Sequence, residues 1–339
     1  MACMTAGSIT RVSSVDAFDE LTPDWDDLHS RSFDNRLFTS SLWYRTWWQH
    51  FGVGRPCVFV MREADGEPSG ILPLQIVDEG GGRTITLAGD YNVTDYLDTL
   101  AAKPCARDIL ADLWRSALAE LSWDRILLRH VPSTSPTIPA LQDVLAEDGV
   151  TVSVEGDEVS PVALLCSTWD GYLQMLSKKQ RHEIRRKMRR ALEGSEWSWH
   201  TAETADEVER DLPVFFHLHE LSGNGKERFM TLAMQAFFHD LALALQERDI
   251  LRLSVLRRDG KDVAATMSFL YRGRFFLYNS GYDPELASSS PGIAAVALAM
   301  QDAIREEAVA FDFLSGNEPY KYQFGATDTH TCVVTADCC

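Results

Sequence analysis

The chain has 339 residues, of which 45% are hydrophobic and 24% charged, and carries a formal net charge of −18 at pH 7. That length exceeds what one compact core usually supports, so two domains are expected. The negative balance argues against general adhesion to nucleic acid or to an anionic membrane.

Seven scattered cysteines without a C-x-x-C pair point to a reduced, cytoplasmic protein rather than a disulfide scaffold. No apolar targeting segment follows Arg11, and the apolar run Ile293–Met300 is far shorter than the ~20 residues that cross a bilayer, so no membrane span is expected.

Residues 16–52 read as helical. Trp25 and Leu28 lie three apart, and Trp43, Trp47 and Phe51 recur every four. Such a tryptophan stripe is either a sugar platform or core, and its helical spacing favours core. Strand signals follow at 57–62, 70–77 and 84–87, with turns at Asp65–Gly66 and Gly80–Gly82; Pro73 marks an edge or a bulge. The loop Gly89–Tyr96 offers Asp90 and Asp95 either to a cationic acceptor or to local turn N–H groups. A helix at 105–121, a strand at 125–129 and a helix at 139–147 complete the first half. The acidic stretch Gly149–Ser160 reads as the boundary, giving domains 1–158 and 159–339.

The second half reads as helices at 169–192, 204–220 and 230–247, strands at 250–257, 262–271 and 274–280, a helix at 291–307 and a strand at 309–314. In the first of these helices Trp169, Leu173, Leu176, Ile184, Met188 and Leu192 keep an apolar face. Lys178, Lys179, Arg181, Arg185, Arg186, Lys187, Arg189 and Arg190 cover the rest. In so acidic a chain this is a local positive patch. It either binds phosphates of a carrier, a nucleotide or RNA, or pairs with Asp206, Glu207 and Glu209. His217 and His219 point to different sides of a helix, and no H-E-x-x-H, G-x-S-x-G or P-loop occurs, so no metal is expected.

The richest stretch runs from Arg274 to Gly325. An aromatic strand leads through a small-residue loop to a helix with Ser290 at its N-cap and Pro291 in its first position. A helix start of this kind suits an anion. Beyond the next strand, Gly316–Gly325 gathers ionisable and aromatic groups where open α/β sheets bind ligands.

Three runs carry a family resemblance: FTSSLWYRTWWQHFG at 38–52, SKKQRHEIRRKMRRAL at 177–192, and FDFLSGNEPYKYQFGA at 311–326 preceded by SPG and a helix. In this order they resemble GNAT-type acyltransferases of the Fem-like and CelD-like group. The resemblance implies an α/β (α+β) fold of two tandem GNAT-like domains, each a mixed twisted sheet flanked by helices, with the first domain degenerate.

It implies transfer of an acyl group from acyl-CoA, acetyl-CoA or longer, to an amine. An amino sugar or polysaccharide precursor is the natural acceptor for the CelD-like branch. The alternatives are an aminoacyl-tRNA-dependent transferase of the Fem-like kind and a non-catalytic module that binds a phosphorylated ligand.

On the implied mechanism, N–H groups at Ser290, Gly292 and Ile293 hold the donor pyrophosphate. The strand end at Tyr278, Asn279 and Ser280 lies along the pantetheine and polarises the thioester. Lys321 neutralises a phosphate, and Tyr320 or Tyr322 protonates the departing thiolate. Glu318, Asp312 or Asp283 takes the proton of the amine. The loop SSSPGIA keeps one glycine of the usual glycine-rich run, which is a departure at the pyrophosphate. The long helical arm of the tRNA-dependent branch is absent, which favours a thioester donor.

Overall fold

In the computed structural model, residues 7–53, 56–79, 81–89, 92–194, 196–223 and 226–338 are described, so Asp90 and Gly80 lie outside the described residues. The chain divides into two units, Met1–Glu158 with His330–Cys339, and Val159–Thr329.

The first unit runs β1 (Ser8–Val12), α1 (Val15–Arg31), α2 (Ser41–Phe51), β2 (Cys57–Arg62), β3 (Pro68–Glu79), β4 (Gly82–Leu87), β5 (Leu100–Ala101), α3 (Ala106–Glu120), β6 (Arg125–Pro132), α4 (Thr137–Glu147) and the start of β7 (Ser153–Leu164). β1 to β4 pair antiparallel in order, and β5 adds to β3. β6 joins β4 in parallel. Apolar residues of β2, β3, β4 and β6 meet α3 and α4 in one core. At Gly70 the approach is so close that a Cβ would lie 2.5 Å from Ile109 Cγ2.

The tryptophan stripe is core: Trp25, Trp43 and Trp47 are all buried. Trp25 Nε1 donates to the Thr39 carbonyl at 2.9 Å and Trp43 Nε1 to Thr94 Oγ1 at 3.0 Å.

The chain passes from one unit to the other inside β7, between Glu158 and Val159; the first residues of this strand are mostly exposed, so no apolar alternation marks it. Two expectations change here. The last ten residues belong with the first unit, because the end of the chain pairs antiparallel with β6 from Thr331 to Asp337. The cysteines are not all free: Cys57, Cys166, Cys332 and Cys338 are thiols, whereas Cys105 is disulfide-bonded.

The second unit continues with α5 (Trp169–Met175), α6 (Lys178–Leu192), β8 (Trp197–Thr201), α7 (Ala205–Leu221), α8 (Lys226–Phe229), α9 (Leu232–Gln246), β9 (Leu251–Arg258), β10 (Lys261–Tyr271), β11 (Arg274–Tyr282), α10 (Pro291–Arg305), β12 (Ala310–Asp312), α11 (Pro319–Gln323) and the start of β13 (Thr327–Asp337). Its sheet order is β7-β12-β11-β10-β9-β8. Only β11 and β12, joined by α10, are parallel among the pairs from β7 to β8.

The expected helix 169–192 is two helices. Ser177 accepts from the Gln180 N–H while the Gln180 side chain accepts from the Ser177 N–H, and this capping box starts a new helix.

Helices α6 and α10 cover one face of this sheet, and α7 and α9 cover the other. Gly281 makes the second packing possible: a Cβ there would lie 2.3 Å from His219 N and 2.4 Å from Leu218 C. Gly281→Val is therefore expected to cost about 1–3 kcal/mol, the usual range for overpacking. Urea unfolding reads this directly, and a wild-type midpoint would refute the close approach. No helix among the described residues is long and apolar enough to cross a membrane.

Candidate functional site

Two irregularities in β11 create the site. The first is a parting of strands. β11 pairs with β12 only over Arg274–Phe276, opposite Ala310–Asp312, and β11 runs on to Tyr282. Beyond Phe276 no strand among the described residues pairs with that side of β11, and an open strand edge takes an extended chain that carries amide groups.

The second is a bulge. β10 opposes Met267 to Asn279 and the next residue, Ser268, to Leu277, so Tyr278 is the extra residue. The bulge resets which side chains face α10. Phe275 and Leu277 pack in the core beneath α10. Tyr278 instead packs edge-on against Phe238 of α9, 5.5 Å between ring centres, and Asn279 Oδ1 accepts from His219 Nε2 of α7 at 3.0 Å. Ser280 and Tyr282 then return to the α10 side, where they line a cavity of about 240 Å³.

The cavity walls are Ser280 and Tyr282 of β11, Ala287, Ser290, then Pro291, Gly292, Ile293 and Val296 of α10, and Tyr320 of α11. Ser290 sits at the N-cap position, but its backbone is left-handed (φ 61°, ψ 46°) and its side chain caps nothing. Its own N–H donates to the Ala287 carbonyl at 3.0 Å, and the Ala294 N–H donates to the Ser290 carbonyl at 3.2 Å. Pro291 has no N–H, so the N–H groups of Gly292 and Ile293 are the donors that the helix start presents. Gly292 lies under a ring: a Cβ there would meet Tyr282 Cδ1 at 3.0 Å.

The tail residues divide. Tyr320 is half-buried at the cavity, its ring edge-on to Phe313 at 6.1 Å. Burial, and then the Glu318 charge, push its phenol well above the usual range. Tyr322 does not line the cavity; its hydroxyl donates to Asp328 Oδ1 at 2.8 Å, and this bond holds its phenol up.

Lys321 does not face the cavity either. Its side chain is 3% exposed, and its ammonium donates to the carbonyls of Leu314, Ser315 and Gly316 at 3.2, 2.7 and 2.8 Å, with Glu318 Oε2 at 2.9 Å. Leu314 and Gly316 have positive φ, 56° and 105°, so this ammonium pins a turn that plain backbone would not hold.

Asp312 is fully buried. Its carboxylate accepts from the Leu314 N–H at 3.0 Å and from Arg274 Nη1 at 3.4 Å, which makes it a strand-end anchor rather than a base in a cleft. Asp283 accepts from the Glu285 N–H at 2.9 Å at the turn before α10. Glu318 is exposed on the turn that carries Tyr320.

The basic helix flanks this cavity. Gln180 Nε2 donates to the Tyr322 carbonyl at 2.7 Å, Lys187 Nζ to Gln323 Oε1 at 3.0 Å, and Arg190 Nη1 to the Ser288 carbonyl at 3.1 Å. Its acidic neighbours are not those expected. Arg186 pairs with Glu183, and Arg185 reaches Asp170. Glu207 instead closes the cap of α7, and Glu209 meets His239.

Two residues outside the expected site matter here. Tyr282 follows from the two-residue period of the strand once Ser280 is placed. The contact from His219 to Asn279 crosses 60 residues of chain, and no local signal marks it. Among the described residues no group of three or more His, Cys, Asp or Glu is placed to hold a metal.

A family model for the acetyltransferase (GNAT) domain matches residues 178–322. No curated protein matches the sequence. Among solved structures, FemX is similar with a TM-score of 0.64 at 11% identity, covering 96% of this chain and 96% of that one. A conserved protein of unknown function from Bacteroides thetaiotaomicron gives a TM-score of 0.58 at 14% identity, covering 99% and 100%. A tandem GNAT protein from the clavulanic acid biosynthesis pathway gives 0.50 at 15%, covering 96% and 98%. At such identities the likeness is one of fold. Residues 178–322, from the basic helix to Tyr322, therefore match an acetyltransferase (GNAT) domain model, and the chain has a mixed α/β fold similar to that of a tandem GNAT protein.

Proposed function

We propose that the second unit transfers an acyl group from a pantetheine thioester, of which acyl-CoA is the soluble form, to a primary amine. One observation carries this reading. β11 parts from β12 beside an uncapped helix start, and Tyr320 stands at the cavity between them.

The open edge of β11 receives the extended pantetheine amides, and the N–H groups of Gly292 and Ile293 meet the phosphate that follows. A backbone N–H at the Tyr278 bulge polarises the thioester carbonyl as charge develops on its oxygen. The amine attacks the acyl carbon, the C–S bond breaks, and Tyr320 gives its proton to the thiolate. Glu318, on the same turn as Tyr320, takes the proton from the amine. An amino sugar or other sugar-linked amine is the acceptor class that the resemblance to CelD-like proteins suggests.

Thermal melting of the whole protein with acetyl-CoA, longer acyl-CoAs and the matching acyl-pantetheines is the direct test. A ligand that binds only the folded state stabilises it by about 2.7 kcal/mol at a hundredfold excess over Kd. A dose-dependent rise is expected with one of these thioesters. It should disappear in Gly292→Trp, whose side chain drives Tyr282 into the cavity. No rise with any thioester would sink the reading.

A further inference from the structure

The outer face of α6 is not used by the cavity. Eight of its fifteen residues are Lys or Arg, against a single Glu, in a chain of net charge −18. The inner side is occupied: Ile184 and Ala191 are buried, Met188 and Leu192 pack on the core, and the bonds from Gln180, Lys187 and Arg190 tie the helix to α11 and to the turn before α10. Both of those elements line the cavity.

The outer side keeps its charge in solvent. Lys178 and Lys179 are exposed and take no ion pair among the described residues. Arg185 and Arg189 are exposed and meet Asp170 and Glu193 only at 3.7 and 3.6 Å, and exposed pairs of that kind hold little.

The helix start limits what the donor brings. With Ser290 N–H used by Ala287 and Pro291 lacking one, two N–H groups remain, those of Gly292 and Ile293. Two donors suit one phosphate group. Coenzyme A carries a diphosphate and a third phosphate, whereas a phosphopantetheine arm on a protein carries a single phosphodiester.

We propose that the physiological donor is an acyl group on the phosphopantetheine arm of an acidic carrier protein, and that the outer face of α6 is where the carrier docks. This inference rests on the thioester reading above. Charge complementarity supplies the recognition that the nucleotide would otherwise supply. Nucleic acid fits less well, because α6 has no Phe, Tyr or Trp on which bases stack and the rest of the chain repels a polyanion. A bilayer fits less well, because the apolar residues of α6 point inward and leave nothing to insert.

The chemistry balances without a further reactant. A C–N bond forms between the amine and the acyl carbon, and the C–S bond breaks. The thiolate of the arm gains a proton, the amine loses one, and the carrier departs as a free thiol.

The test titrates the full chain with an acidic bacterial acyl carrier protein, loaded with the acyl group that melts highest in the thermal series. The matching acyl-CoA and acyl-pantetheine are run beside it, at low and at physiological salt. The carrier is expected to bind at least ~10-fold more tightly than acyl-CoA, with the advantage shrinking as salt screens the contact. The triple variant Lys178→Glu, Lys179→Glu, Arg185→Glu should weaken the carrier at least ~10-fold more than it weakens acyl-pantetheine.

Equal affinity for carrier and acyl-CoA, or an equal loss for both in the variant, would overturn the proposal and assign α6 to nucleotide phosphates. So would a silent carrier with tRNA or anionic vesicles binding in its place. If acyl-pantetheine binds and the carrier does not, only this inference falls; if no thioester binds, the donor reading falls with it.

Discussion

Tyr320→Phe is expected to lower kcat by about 10²–10³ while leaving KM for the thioester within a factor of about three, the pattern of a lost general acid. The phenyl ring keeps its place at the cavity and its edge-on contact with Phe313, so binding should survive. What disappears is the proton for the thiolate. Burial and the Glu318 charge hold the Tyr320 phenol above its usual range. It therefore stays protonated across the range in which enzymes are assayed, and the wild-type rate should show no alkaline loss from this group. Tyr322→Phe is the internal control. Its hydroxyl serves Asp328 at the surface, so kcat should stay within about twofold, as is usual for changes away from the reacting atoms. Equal losses in the two variants, or none in Tyr320→Phe, would remove the general acid from the mechanism.

The contrast between these two tyrosines shows where sequence reading stops. The order strand, small-residue loop, helix, strand over 274–314 is legible because each piece is marked locally: aromatic runs for the strand, Pro291 for the first helical turn, alanine-rich composition for the helix. The tail was legible as a place, since the residues after β12 do gather at one end of the sheet. The division of roles within it was not. In the sequence Lys321 reads as a free cation beside a phosphate site, and Asp312 as a carboxylate facing a cleft. Both are spent on the backbone: Lys321 on three carbonyls, Asp312 on the Leu314 N–H and Arg274. A buried charge needs such partners, and partners set by tertiary folding leave no trace in residue spacing.

The bulge at Tyr278 is a further case. A strict two-residue period sends Tyr278 and Ser280 to the same face, and one extra residue separates them. Helix caps were easier. Ser177 and Gln180 form a capping box whose pattern stands in the sequence, yet it lies inside a continuous apolar period that reads as one long helix. Local chemistry overruled periodicity there.

Asp98→Asn is expected to stabilise the first unit at neutral pH and to do so less as the pH falls. Asp98 is 5% exposed, and its Oδ1 accepts from the Thr99 N–H at 2.8 Å, Ser135 Oγ at 2.8 Å and Thr137 Oγ1 at 2.6 Å. Its Oδ2 has no hydrogen-bond partner among the described residues. Asp34 is buried nearby, tied to Arg36 at 2.7 Å, and the Arg36 guanidinium lies over the Tyr96 ring at 4.5 Å. Burial first, and the Asp34 charge second, push the Asp98 carboxyl up to about 7 against the three hydrogen bonds that pull it down.

The native state therefore holds a proton that the unfolded chain has already released above its ordinary value of 3.8. The stabilisation is fully present below about pH 4, is lost as the pH rises towards 7, and stays lost above that. A shift of this size corresponds to about 4 kcal/mol at most. An asparagine keeps the acceptor at Oδ1 and never pays for ionisation, but it buries an amide that costs about 1–3 kcal/mol if unpaired. The expected net gain is about 2 kcal/mol at pH 8, falling to zero or below at pH 4. Urea unfolding of wild type and variant across that range reads the difference. A gain of equal size at both ends, or a loss at pH 8, would mean that Asp98 is ionised and satisfied in the native protein.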